Sequence, residues 1–181
     1  MAFNEEFLKQ AHEIIDQYPK KKSAILPLAH LAQDQDGWLS EDAMREIAEL
    51  VEVTPAEVQG TCSFYTMFKR EPVGKYLVSV CTNVTCLVVG GPEIHEKLSH
   101  EYADDAEVTV EEVECLAKCD GAPCFTVNYE FIENVTPEMA VKVVEEYKSG
   151  QRVARTISGG PSLLSAQKGQ PDLSVKEGRT S

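Results

Sequence analysis

The sequence predicts an α+β protein: a helical bundle over residues 1–70, a small α/β domain over residues 71–149, and an extended or disordered arm over residues 150–181. Three observations carry this expectation. Apolar residues recur at helical spacing through the first third, and the elements after residue 75 then follow in the order β-α-β-β-α. Five of the six cysteines fall between Cys81 and Cys124, four of them in two close pairs at expected strand ends.

Within the bundle, Phe7, Leu8, Ala11, Ile14 and Ile15 follow the 3, 4, 7 spacing of an amphipathic helix, which Pro19 and Lys20 to Lys22 end. Residues 23–33 carry Ile25, Leu26, Leu28, Ala29, Leu31 and Ala32, a more buried helix with Pro27 near its start and Asp36-Gly37 as its turn. Ser40 reads as the N-cap of a third helix, with Glu41 and Asp42 favouring the positive end of its dipole. Thr54-Pro55-Ala56-Glu57 gives the strongest start signal: Thr54 caps, Pro55 suits the first helical position, and Glu57 completes a capping box. Phe64, Tyr65, Met67 and Phe68 are expected to fill the bundle core or to pack it on the next domain, and Trp38 likewise. Cys62, among apolar neighbours, reads as a small buried hydrophobe.

In the second domain, residues 76–80 form a short buried strand ending at Cys81. A break at Gly90-Gly91-Pro92 precedes a helix with Ile94 and Leu98 inward. Val108, Val110 and Val113 alternate with polar residues in a strand that delivers Cys115. Residues 123–127 and 130–135 flank Asn128-Tyr129 as a hairpin, and Thr136-Pro137-Glu138 starts a last helix reaching Lys148. This order matches a thioredoxin-like layer of helices on a small mixed sheet.

The formal net charge of -13 is unevenly spread. Residues 1–149 hold 12 Lys+Arg against 28 Asp+Glu, while residues 150–181 hold 5 against 2. An acidic body argues against nucleic acid and anionic lipid as partners, since binding to phosphate backbones needs clustered cations. No apolar run approaches the roughly 20 residues a membrane-spanning helix needs, so no direct membrane insertion is expected. The first ten residues hold two glutamates, one lysine and no arginine, which fits neither a secretory nor a transit peptide, and a cytoplasmic location is expected. In a reducing compartment, cysteines point to metal or redox roles rather than structural disulfides.

Cys81 and Cys86 form a C-x4-C, and Cys115 and Cys119 a C-x3-C, separated by one helix and one strand. Four thiolates brought together this way can hold a 2Fe-2S cluster, since thiolates are soft enough to bind ferric and ferrous iron alike. Backbone N–H groups of the two loops, and the Thr82 and Thr85 hydroxyls, are candidates to hydrogen-bond the sulfurs. A zinc-stabilised scaffold module is the alternative from another class, although zinc knuckles usually show C-x2-C. Cys124 is assigned to packing beside the cluster. No dinucleotide fingerprint, P-loop, nucleophile elbow or H-E-x-x-H occurs, and no catalytic residue is assigned.

Ile25-Leu26-Pro27-Leu28 through Gly37-Trp38-Leu39, Thr54 to Val58 with Gly60 and Ser63-Phe64-Tyr65, Gly74-Lys75-Tyr76 leading to Cys81 and Cys86, and Glu114-Cys115-Leu116 to Cys119 with Ala122-Pro123 carry a resemblance. Over about residues 3–149 the chain resembles the NuoE family, the small thioredoxin-like 2Fe-2S subunits of NADH:quinone oxidoreductase (respiratory complex I). The resemblance implies a thioredoxin-like 2Fe-2S ferredoxin domain after the helices, with Cys81, Cys86, Cys115 and Cys119 as cluster ligands. It further implies a NuoF-type flavoprotein partner holding FMN, NADH and another iron-sulfur cluster. The chain would then be a subunit of NADH dehydrogenase without catalysis of its own, in the complex I peripheral arm at the cytoplasmic face of the inner membrane. Equivalent subunits serve NAD-linked hydrogenases and formate dehydrogenases, which stand as alternatives. Two residues depart from the pattern: Ala117 stands where the family often has glycine, and Cys124 where an apolar residue is more usual.

Overall fold

A computed structural model describes residues 3–154. Three of the four helices of the first third start where the sequence supplies a side-chain cap. Asn4 accepts a hydrogen bond from the Phe7 N–H at the head of α1 (Glu5–Ile15). A 3-10 turn, Lys21–Ala24, leads into α2 (Ile25–Asp36), which Gly37 closes in the left-handed conformation. Ser40 accepts from Ala43 to cap α3 (Glu41–Val51). At α4 (Pro55–Phe64) the capping box is complete, with Thr54 accepting from the Glu57 N–H and donating its own N–H to the Glu57 carboxylate at 3.0 Å.

These four helices pack one core that includes Phe7, Ile14, Leu28, Ile47, Val58 and Cys62. Cys62 is fully buried, as expected, and burial pushes its thiol up to about 11. The aromatic run behaves unevenly. Phe68 is buried and Tyr65 packs against the same core, whereas Phe64 is 81% exposed. The helix period explains the difference: Val58 and Cys62, four apart, define the inward face of α4, and Phe64, two residues after Cys62, falls on the other side.

Gln33 is a buried tie that periodicity does not reveal. Its amide donates to the Met67 carbonyl at 3.0 Å and accepts from the Lys69 N–H at 2.7 Å, fastening the segment after α4 to α2. Lys69 then reaches both carboxylate oxygens of Glu111 on the sheet, at 2.9 and 2.7 Å, while Ser79 donates to the same carboxylate at 2.6 Å.

The remaining elements are β1 (Tyr76–Cys81), α5 (Thr85–Val88), α6 (Gly91–Glu101), β2 (Val108–Val113), β3 (Phe125–Val127), β4 (Glu130–Ile132) and α7 (Pro137–Lys148). The strands form one mixed sheet in the order β2-β1-β3-β4. β1 pairs in parallel with β2, from Tyr76 opposite Val108 to Cys81 opposite Val113, and antiparallel with β3. A central strand meets protein on both faces, and β1 is buried at all six positions. Ile94, Leu98, Ala140 and Val144, from α6 and α7, share a core with Val78, Val80, Phe125 and Val127.

The hairpin turns at Asn128-Tyr129, both left-handed at φ 46 and 65. Buried Asn128 accepts from the Leu77 N–H at 2.7 Å and donates to the Lys75 carbonyl at 3.0 Å, pinning the turn to the start of β1. Its strands are shorter than the sequence predicts, and Pro123 and Cys124 lie outside β3. The expected arm lies outside the described residues from 155 onward. Before that, Gly150 turns the chain so that the Arg152 side chain meets Glu146 of α7 at 2.7 Å and Ala154 packs on the second core. No helix among the described residues is long and apolar enough to cross a membrane.

Replacing Gln33 by leucine leaves the Met67 carbonyl and the Lys69 N–H without their partner, and urea denaturation should show a loss of about 1–3 kcal/mol. Cys62 supplies a pH test. Its folded pKa of about 11 lies above the ordinary value of 9.0, so the stabilisation from keeping the thiol neutral is complete below 9.0 and is lost as pH rises towards 11. Cys62→Ala should therefore flatten the fall in stability across that window, read as the difference between wild-type and variant urea midpoints at each pH.

Candidate metal centre

The cysteines gather at one rim because the strands that carry them end together. Cys81 is the last residue of β1, opposite Val113 in the parallel register, so β2 delivers Glu114 and Cys115 beside it. The Cys81 thiol lies 3.7 Å from the carbonyl oxygens of both Asn83 and Glu114. The Cys81 N–H donates to the Cys124 carbonyl at 3.3 Å, and Thr82 N–H to the Val113 carbonyl at 3.2 Å. After Cys81 the chain folds back tightly, with the Cys86 N–H donating to Asn83 at 3.0 Å and the short helix α5 presenting Cys86 inward.

Gly91 permits this packing. A Cβ there would stand 2.5 Å from the Cys81 carbonyl oxygen and 2.9 Å from that of Cys86, closer than real contacts allow. In the second loop Ala117 is left-handed at φ 56, the conformation that suits the glycine often found there. Its N–H donates to the Cys115 thiol at 3.3 Å, a bond to sulfur of the kind expected from the loop backbone. The Thr82 hydroxyl is committed elsewhere, donating to Glu112 at 2.6 Å, so it is not the sulfur partner anticipated for it.

The structure divides the predicted ligands by burial. Cys81 and Cys86 are buried, whereas Cys115 and Cys119 are exposed. Cys124 joins the buried pair: the three sulfurs lie within 4.8 Å of one another, with Cys86 and Cys124 at 3.9 Å. Leu116 and Ala122 pack against this trio. Sequence reasoning assigns Cys124 to packing beside the cluster, and what it does not anticipate is a sulfur as close as 3.9 Å to that of Cys86. The signal available is only its position five residues after Cys119, behind Pro123.

The thiols are unlike one another electrostatically. Burial alone drives Cys81 upward, but hydrogen bonds from the backbone at Asn83 and Leu116, with help from the Cys86 and Cys124 thiols, bring it below its usual value. Cys86 is pushed up, by burial first and then by the neighbouring Cys81. Cys124 is pushed up to about 12, chiefly by burial and then by Cys86. Beside them Lys118 is held by Asp120 at 2.7 Å and Glu133 at 3.3 Å, which places one cation among the cysteine loops. An apolar collar faces solvent at the same rim, with Val84 68% and Val88 80% exposed and Leu87 between them.

The donor set fits a thiolate-bound cluster: sulfur side chains from two loops at one rim, with backbone N–H and a cation close by. A helix-covered mixed sheet bearing such a rim defines a small thioredoxin-like protein built to hold metal through sulfur. Known proteins agree. A family model of the thioredoxin-like [2Fe-2S] ferredoxins matches residues 11–148, and the chain belongs to that family. The E subunit of the NADH-quinone oxidoreductase of Mycobacterium bovis is 41% identical over 180 residues, covering 93% of this chain and 71% of that one. Its counterpart of the same name from Rickettsia felis is 36% identical over 158 residues, covering 82% and 95%. Among solved structures, an NAD+-reducing [NiFe]-hydrogenase in the air-oxidised state superposes with a TM-score of 0.61 at 20% identity over 71% of this chain. That likeness is one of fold, and this chain spans only 23% of the hydrogenase chain.

Two substitutions test the loop geometry. Gly91→Ala forces a methyl into backbone atoms and should cost about 1–3 kcal/mol in urea denaturation. Ala117→Gly relieves a left-handed alanine and should gain about 1 kcal/mol in the same measurement.

Proposed function

We propose that this chain is the 2Fe-2S electron-transfer subunit of an NADH:quinone oxidoreductase, exchanging single electrons with the FMN of a partner flavoprotein. One observation carries the reading: a thiol-lined rim on a thioredoxin-like fold, in a chain whose relatives at 41% and 36% identity are subunits of that enzyme. In this reading residues 1–70 form the bundle and residues 71–149 the cluster domain. Cys81, Cys86, Cys115 and Cys119 hold the cluster, which when bound supplies reversible one-electron chemistry. The Ala117 N–H partly offsets the negative charge on the Cys115 sulfur.

The exposure of Cys115 and Cys119 gives this rim an open edge, and the collar of Val84, Leu87 and Val88 supplies apolar surface for a partner to cover. The partner fitting this edge is a NuoF-type flavoprotein that holds FMN and NADH, within a peripheral arm at the cytoplasmic face of the membrane. Relatives named for quinone reduction at higher identity favour that setting over the hydrogenase, whose likeness is confined to fold.

Iron and acid-labile sulfide assays on protein purified without oxygen should give about two of each per chain. A chain that stays colourless and free of sulfide after bound metal has been stripped and the cluster reconstituted without oxygen rejects the reading in favour of a scaffold. Cys119→Ser should bleach or alter the spectrum of the reduced protein, while Cys62→Ala, buried in the other core, should leave it intact. The reverse pattern would dismiss the ligand assignment.

A further inference from the structure

Four ligands satisfy a 2Fe-2S cluster, yet five cysteines share this rim, and the one left over is buried among the first two. We propose that Cys81, Cys86 and Cys124 form a second metal site that holds one thiophilic divalent ion of the zinc class in the cluster-free chain.

Geometry supports it first. A tetrahedral ion with zinc-to-sulfur bonds of about 2.3 Å needs its sulfurs about 3.8 Å apart. Cys86 and Cys124 already stand at 3.9 Å, and all three sulfurs lie within 4.8 Å, so small side-chain adjustments close the site. The backbone is set as well. The Cys81 N–H bond to the Cys124 carbonyl fixes those two residues together, and Gly91 packs beneath the carbonyls of Cys81 and Cys86. Oxygen completes the surroundings: the Lys118 carbonyl lies 3.7 Å from the Cys124 sulfur, and those of Asn83 and Glu114 lie 3.7 Å from the Cys81 sulfur.

Chemistry supports it second. Thiols give one another only weak hydrogen bonds, so three of them packed with Leu116 and Ala122 gain little from each other unless an ion binds them. Binding converts three thiols to thiolates, releases three protons to solvent and leaves a site of net charge minus one, with no change of oxidation state. Cys115 and Cys119 stand outside the trio and exposed.

The two occupants exclude each other because both use Cys81 and Cys86. That exclusion rests on the cluster ligands proposed above, whereas the three-sulfur site does not. A chain filled with zinc is thereby withheld from electron transfer, and the metal it meets first decides its fate.

Cobalt(II) is the probe, titrated without oxygen into the reduced, cluster-free full-length chain and then displaced by zinc. The expected result is one cobalt per chain with sulfur-to-cobalt charge-transfer absorption. Cys124→Ser should weaken binding at least about tenfold and remove about a third of that absorption. The double variant Cys115→Ser, Cys119→Ser should bind as wild type does. Thermal melting of each metal-free variant shows that it is folded. Wild-type affinity in folded Cys124→Ser, or loss of the site in the folded double variant, overturns the proposal. Zinc-loaded wild type should refuse iron and sulfide, while Cys124→Ser should accept about two of each. Failure of Cys124→Ser to take up the cluster, when wild type does, makes Cys124 a cluster ligand and also overturns the proposal. Failure of wild type itself to take iron defeats the cluster reading and leaves the cobalt result standing.

Discussion

The double pairing of β1 is the constraint on which everything else rests. Its parallel register with β2 makes both strands finish at the same edge, and its antiparallel pairing with β3 brings the chain back to that edge from the other side. Because strands turn every side chain over when their register slips by one residue, a shift of β2 would carry Cys115 away from Cys81 and expose its valines together. The apolar alternation that buries the sheet therefore also aligns the sulfurs. Stability and site geometry are set by one ladder of hydrogen bonds.

Around that ladder the smaller interactions serve to hold ends rather than middles. Asn128 secures the start of β1, while the Cys81 bond to Cys124 secures its finish. Lys69 with Glu111 links the helical segment to β2, and Tyr129 reaches the Met67 carbonyl at 3.3 Å from the hairpin. A partly buried ion pair of this kind fixes orientation more than it adds free energy, since desolvation offsets much of the attraction. The helices are thus oriented on the sheet by polar contacts at a seam between two apolar clusters.

Much of this architecture can be read in the sequence because it is written in short-range chemistry. Ser40, Thr54 and Thr136 cap helices as their residue types demand, and β1 and β2 begin and end close to where alternation places them. What escapes such a reading depends on distance along the chain. Gln33 looks like a surface residue until the segment thirty-odd positions later folds over it. Phe64 looks like core because its neighbours are aromatic, but one helix turn separates neighbours in sequence from neighbours in space. At the rim, spacing reveals the paired cysteines and sets Cys124 beside them, but how closely its sulfur approaches those of Cys81 and Cys86 depends on how β3 is laid against β1.

The contrast between sheltered and open thiols has a consequence for the life of the molecule. Oxygen and peroxide attack accessible sulfur first, and progress from sulfenic to sulfonic acid becomes irreversible part way. Cys115 and Cys119 are the outer surface of the rim, so corrosion of an unassembled chain begins there and proceeds inward. A subunit left waiting for its companions ages at its edge, and assembly is also a form of preservation.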